Sequence, residues 1–195
     1  MGEPAVVLGL STSPRRGGNT ETMLDSALEG AREAGARTEK VVTSELDIGP
    51  CRGCNACARD GKCVQLDDMQ ALYPKLLTCR GVILAAPIFS MNLAAQAKIV
   101  IDRLQCCWSK KYVLKEHTVE DGLRNRRRGL WLAAAGLQRP DVFDPALFTV
   151  KYFFAMLEIK QWEKLTFNNL DEKGAVREVE GALEACRRAG ARLLL

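Results

Sequence analysis

Apolar positions occur along this chain in two alternating patterns, and the alternation predicts its fold. Residues 5–10 and 82–86 are short, unbroken apolar runs of the kind that form strands covered on both faces of a parallel sheet. Between them Met23, Leu24, Ala27, Leu28 and Ala31 recur at helical spacing with Asp25, Glu29, Arg32 and Glu33 opposite, until Gly35 ends the pattern. Further strands are expected at 37–42, 130–135 and 162–167, and further helices at 69–78, 94–105, 145–158 and 174–195. The last carries Val176, Val179, Leu183, Cys186 and Ala189 on one face. A polar stretch at 108–128 interrupts the series. Repeated strand and helix units with buried strands predict an α/β fold, a doubly wound five-stranded parallel sheet with helices on both faces and a cysteine-rich loop after the second strand.

With 195 residues, 47% hydrophobic and 27% charged, the chain reads as one globular domain over 1–195, without internal repeat, low-complexity segment or linker. Its first ten residues carry no basic segment, and their apolar run is too short for a signal peptide or a membrane span; a cytoplasmic location and no membrane partner are expected. The net charge of +4 is modest and no basic block alternates with aromatics, which argues against a nucleic-acid partner. Eight cysteines are many for a compartment where reducing conditions disfavour disulfides. Four of them, Cys51, Cys54, Cys57 and Cys63, fall together in the loop 46–66, whereas Cys79, Cys106, Cys107 and Cys186 show no metal-like spacing and are expected to pack.

In a doubly wound sheet, ligands lie beyond the carboxyl ends of the strands, and the loop after the first strand forms part of that site. Here that loop is Ser-Thr-Ser-Pro-Arg-Arg-Gly-Gly-Asn-Thr at 11–20. Its glycines and the helix that starts near Asn19 supply backbone N–H groups and a favourable dipole for phosphate, with Arg15 and Arg16 as countercharge. It lacks the Gly-x-Gly-x-x-Gly of pyrophosphate sites and the Gly-Lys-Ser/Thr of nucleoside triphosphate sites. A single terminal phosphate, as in FMN, is the better match. The bland alternative is a polar turn with a good helix start.

This loop, the segment Ala-Pro-Ile-Phe-Ser-Met-Asn at 86–92 and Lys-Ile-Val-Ile-Asp-Arg at 98–103 together resemble the flavodoxin-like NAD(P)H-dependent FMN reductase family. The resemblance covers at least the first hundred residues. It implies that Ser11, Ser13, Arg15, Asn19 and Thr20 hold the FMN phosphate and that Pro87, Ile88, Phe89, Met91 and Asn92 line the isoalloxazine ring. Where the family often has Tyr this chain has Phe89, which loses a hydroxyl contact but keeps stacking. A third flavin-contacting loop is expected at Ala135, Gly136 and Leu137.

The spacing Cys51-x-x-Cys54-x-x-Cys57-x5-Cys63 puts four thiols on one loop that Gly53 and Gly61 allow to curl. Four cysteines suit an iron-sulfur cluster, although the last gap is longer than in bacterial ferredoxins and no proline follows Cys63. Zinc is the competing reading, but structural zinc usually joins two separated ligand pairs. A site left empty, with free thiols, is the third. The motif and the following Val-Gln-Leu-Asp-Asp-Met at 64–69 resemble the iron-sulfur flavoprotein branch of the same family, whose members carry a 4Fe-4S cluster.

Other features carry less. The run Arg-Asn-Arg-Arg-Arg at 124–128 is either solvated loop or a dock for an acidic electron carrier or the 2'-phosphate of NADPH. His117 is expected to be exposed, with no recognisable carboxylate partner. Trp108 and Tyr112 are candidates for a subunit contact. The resemblance implies a homodimer or homotetramer in which FMN and a 4Fe-4S cluster pass electrons from a ferredoxin-like donor or NAD(P)H to a small-molecule acceptor, the flavin rather than any side chain performing the chemistry. Two alternatives stay open: an NAD(P)H-dependent FMN or quinone reductase without a cluster, and a non-enzymatic flavodoxin-like electron carrier. A zinc-stabilised interaction module is the remote one.

Overall fold

A computed structural model of the chain describes residues 4–195. The main sheet contains β1 (Val6–Ser11), β2 (Arg37–Val42), β3 (Gly81–Ala85), and two later strands; a small antiparallel hairpin, β4 (Ile88–Phe89) and β5 (Asn92–Leu93), follows β3. The later strands are β6 (Arg128–Ala134) and β7 (Gln161–Phe167). All pairings in the main sheet are parallel, in the order β2-β1-β3-β6-β7. Strand order therefore reverses between β1 and β3, the place where doubly wound sheets bind ligands.

The burial of each strand follows its position. From its second residue onward β1 is buried, as are all of β3 and nearly all of β6, which explains their unbroken apolar runs. The edge strands β2 and β7 are half exposed and carry Arg37, Glu39 and Lys40, and Glu163 and Lys164. Charged side chains on such edges discourage further strand pairing.

Helices cover both faces: α1 (Asn19–Glu33), α2 (Met69–Thr78), α3 (Ala95–Arg103), α4 (Gln105–Trp108), α5 (Asp121–Arg124), α6 (Asp144–Met156) and α7 (Ala182–Ala191). On one face α1 and α7 pack over Leu130, Leu132 and Ile83. Their axes come close enough that a Cβ on Gly30 would lie 1.9 Å from the Arg187 carbonyl oxygen, and one on Gly190 would lie 1.8 Å from that of Ala27. Only glycine fits at either crossing. The other face is the larger core, built on Trp131, Phe153 and Phe154 beneath α2, α3 and α6. Among the described residues, no helix is long and apolar enough to cross a membrane.

Two expectations change. The terminal helix is broken: a 3₁₀ turn at Ala175–Glu178 precedes Gly181, whose φ of 70° starts a separate α7. The polar stretch is partly helical, since α4 runs into a π-helical turn at Ser109–Val113 that sets Trp108 against Tyr112, their rings tilted by 42° with centroids 5.7 Å apart.

Candidate functional site

The loop after β1 is stapled to the sheet before it turns: the Thr12 N–H and hydroxyl each donate to the Ala85 carbonyl at 2.9 Å. The Ser13 hydroxyl then donates to Arg15 O and accepts Arg15 N–H, both at 3.1 Å, and Gly17, at φ 63°, donates its N–H to Glu21 Oε2 at 2.7 Å. Burial pushes the Glu21 carboxyl up, but the Gly17 N–H, Lys40 and Arg16 outweigh it and hold the group below its ordinary value. The chain enters α1 at Gly18 with no side-chain cap, so the first turn offers N–H groups that have no partner inside the helix. An uncapped N-terminus of a 15-residue helix is a place for an anion.

That N-terminus opens into a cleft of about 580 Å³ at the carboxyl ends of β1, β3 and β6. Ser13, Arg15, Asn19, Thr20, Pro87, Ile88, Phe89 and Met91 line it with Ala135, Gly136 and Leu137, so residues singled out in all three expected loops come together. Ser90 and Met91 turn the hairpin with φ of 48° and 65°, which brings the 87–91 backbone along the cleft wall. Phe89 and Leu137 present large apolar side chains to solvent at its rim. The wall thus joins an anion-seeking helix end to an apolar, aromatic-flanked slot, a combination that fits a phosphorylated flat ring.

Two expected residues do not line the cleft. Ser11 closes β1, buried, with its hydroxyl unpartnered among the described residues and its carbonyl accepting the Thr43 Oγ1 hydroxyl at 3.2 Å. Asn92 lies in the second hairpin strand, and its Oδ1 is taken by the Leu93 N–H at 2.8 Å. Asn19 lines the cleft, but its side chain is committed elsewhere: Nδ2 donates to Leu170 O at 3.2 Å and Glu172 O at 2.9 Å, and Oδ1 accepts Val176 N–H at 3.2 Å. What it offers an anion is its backbone. Arg16 is not free countercharge, because it pairs with Glu45 at 3.2 Å and Glu21 at 3.4 Å. Val142, Leu170 and Asp171 were not legible as lining residues; all three lie far beyond the hairpin in sequence, and Leu170 and Asp171 are placed by the Leu170 N–H bond to Ala135 O at 2.8 Å and the packing of Asp171 against Gly136.

The basic run does not line this cleft. Arg127 is buried and donates to Leu76 O at 2.5 Å, Leu157 O at 2.6 Å and Cys79 O at 3.0 Å. It precedes β6, at the sheet end opposite the cleft. His117 is exposed as expected yet does meet a carboxylate, its Nδ1 lying 3.2 Å from Glu158 Oε2, in a contact that also ties down Thr118.

Cys51, Cys54, Cys57 and Cys63 line one small cavity together with Arg103 and Cys106. The loop curls there through Gly53, Asn55 and Gly61, with φ of 64°, 56° and 71°. All four thiols are free, and among the described residues no three metal-ligating groups stand close enough together to hold an ion as they are. The donor set and the curled loop suit a thiolate-bound cluster; the closure of the thiols on it is not formed. The two cavities share no lining residue. Cys106 and its neighbour Cys107 are buried as expected, but Cys106 also borders this cavity, and its interaction with the Cys107 thiol lowers its pKa.

The model of the NADPH-dependent FMN reductase family matches residues 6–161. An iron-sulfur flavoprotein of Methanosarcina thermophila is 39% identical over 109 residues, 56% of this chain and 57% of that protein. Another, of Methanocaldococcus jannaschii, is 32% identical over 154 residues, 78% of this chain and 72% of that one. The chain spans about half the length of the first curated relatives it matches. Among solved structures, an NAD(P)H:quinone oxidoreductase from Methanothermobacter marburgensis superposes with a TM-score of 0.75 at 16% identity, covering 97% of this chain and 99% of that one, a likeness of fold. The chain belongs to the NADPH-dependent FMN reductase family, in the branch whose curated members are called iron-sulfur flavoproteins.

Proposed function

We propose that the protein is an FMN-dependent oxidoreductase that also carries a 4Fe-4S cluster, a single flavin-binding domain with the cysteine-rich loop inside it. The observation that carries the flavin half is the uncapped start of α1 opening into a cleft whose far wall is the Phe89 hairpin. The main chain of Gly18 to Thr20, the Ser13 and Thr20 hydroxyls and Arg15 would hold the phosphate, and Pro87 to Met91 with Gly136 would line the ring. Bound there, FMN supplies hydride and single-electron chemistry. The protein's own part is to anchor the phosphate, keep one ring face against apolar side chains and limit water on that face. Cys51, Cys54, Cys57 and Cys63 would hold the cluster, which supplies single-electron transfer.

Electrons would enter from NAD(P)H or a ferredoxin-like protein and leave to a small acceptor. The names of relatives support nicotinamide use, and the cysteine motif supports the protein donor. A cytoplasmic homodimer or homotetramer is the assembly we expect. The second reading, a reductase without a cluster, draws on the thiols not being gathered. Anaerobic reconstitution with iron and sulfide, followed by metal analysis, separates them: about four irons per chain are expected for the first reading. Zinc or no metal leaves the second. Titration with FMN and riboflavin tests the flavin half, FMN binding roughly ten- to a hundredfold more tightly through its phosphate. Equal affinities would refute the phosphate assignment.

A further inference from the structure

Arg103 ends α3, is 1% exposed, and reaches both ends of the cysteine loop at once. Its Nη1 donates to Gly49 O at 2.9 Å and to Asp67 Oδ2, and its Nη2 donates to Asp67 Oδ1 at 3.0 Å and to Cys63 Sγ at 3.5 Å. Asp67 in turn accepts the Gly49 N–H on Oδ2 and the Met69 N–H on Oδ1, both at 3.1 Å. One guanidinium and one carboxylate therefore fasten the residue two before Cys51, the last cysteine of the motif and the first residue of α2. The Arg103 Nε has no partner among the described residues, and the side chain forms part of the wall of the four-cysteine cavity.

A purely mechanical fastening does not need this chemistry. Burying an ion pair costs desolvation that an apolar contact of the same size avoids. What the pair supplies and an apolar contact cannot is a fixed positive charge against a ligand sulfur. Hydrogen bonds and charge at the sulfurs are main determinants of cluster potential. The reduced form carries one more negative charge and gains more from the neighbouring cation.

We infer that Arg103, clasped by Asp67, is the positioning residue of the cysteine loop, holding its two ends together and setting the reduction potential of what the four thiols bind through its hydrogen bond to Cys63. The inference rests on the cluster reading given under the proposed function. Lys98, Asp102 and Arg103 share the segment that helped mark the family resemblance, but Lys98 and Asp102 pair with each other at 2.8 Å on the exposed side of α3, so Arg103 alone faces the loop.

The test compares the reconstituted protein with Arg103→Met and Arg103→Lys by EPR-monitored potentiometric titration and by the rate of iron loss to a chelator. In Arg103→Met the reduced-to-oxidised ratio at fixed potential should fall roughly tenfold, a midpoint lower by about 59 mV. Arg103→Lys should recover most of the potential, because the charge returns. It should still lose iron faster than the unmodified protein, because the fork that grips Gly49, Asp67 and Cys63 does not return. Unchanged potential and iron retention in Arg103→Met overturn the inference. A second readout uses the metal-free proteins: trypsin cutting at Arg52, Arg59 and Lys62 should be about tenfold faster in Arg103→Met and in the milder Asp67→Asn, with circular dichroism confirming the fold. Cutting at the unmodified rate overturns the clasp. If the unmodified protein takes up no iron, the cluster reading fails and the potential-setting half fails with it, while the clasp is still decided by the trypsin rates.

Discussion

Glu21 reaches back one turn to accept the Gly17 N–H at 2.7 Å, and with Lys40 at 3.1 Å on its other oxygen it fixes the first loop against β2. A carboxylate this close to the start of α1 works against an anion unless its charge is spent, and Lys40 and Arg16 spend it. Glu21→Leu removes the acceptor that sets the Gly17 turn. FMN affinity should fall about tenfold, with a smaller loss for riboflavin, measured by flavin fluorescence quenching. Parallel losses for both would show that Glu21 supports the fold rather than the phosphate.

Thr20 is the better side chain than Asn19 with which to test the phosphate. Asn19 holds Leu170, Glu172 and Val176, so replacing it should unfold the neighbouring segment and weaken any ligand. Thr20→Val keeps the shape and removes one hydroxyl. It should cost about 1 kcal/mol of FMN binding and leave the melting temperature close to unchanged.

Much of this was legible in the residues. The apolar runs located β1, β3 and β6 because those strands are covered by neighbours and helices, and the edge strands near 37–42 and 162–167 were placed by the alternation of strand and helix along the chain. The first loop and the 87–91 segment were readable because short-range turn chemistry fixes them. What was not readable depends on distant packing. Asp171 meets Gly136 only because β6 and β7 are neighbours, and Arg103 meets Cys63 across 40 residues. Arg127 looked like one member of a charged run, yet a carbonyl-lined socket takes it inside. Nothing local announces such a socket.

Arg127 should accordingly prove structural. Arg127→Met removes the guanidinium donor from the carbonyls of Leu76, Cys79 and Leu157 and should cost about 2–4 kcal/mol, read as a lower denaturation midpoint. KM for NADPH relative to NADH should not move. A selective rise for NADPH would restore the cofactor-docking role to this run.

Acid should open the cysteine loop. The hydrogen bond from Arg103 holds the Asp67 carboxyl below its ordinary 3.8. A depressed carboxyl contributes stability that is fully present above 3.8 and is lost as pH falls through its lower folded value. Protection of the metal-free loop amides, taken relative to their intrinsic exchange rates, should be independent of this pair from about pH 7 to 5 and fall below about pH 3.8. In Asp67→Asn that acid step should be missing; its persistence would assign it to another group.

The crossing of α1 and α7 gives a test of packing. Gly190→Ala places a methyl 1.8 Å from the Ala27 carbonyl oxygen, which is backbone and cannot swing aside. Separation of the helices should cost about 3 kcal/mol and lower Tm by several degrees. An unchanged Tm would mean that the two helices do not meet at this distance in solution.

The central claim is that the cleft between the start of α1 and the Phe89 hairpin holds FMN, and the most direct measurement is the absorption spectrum of anaerobically purified protein with the released flavin identified and counted. The account predicts about one FMN per chain, with broad iron-sulfur absorption beneath the flavin bands. A protein that is purified without flavin and takes up none from an excess of FMN would contradict it.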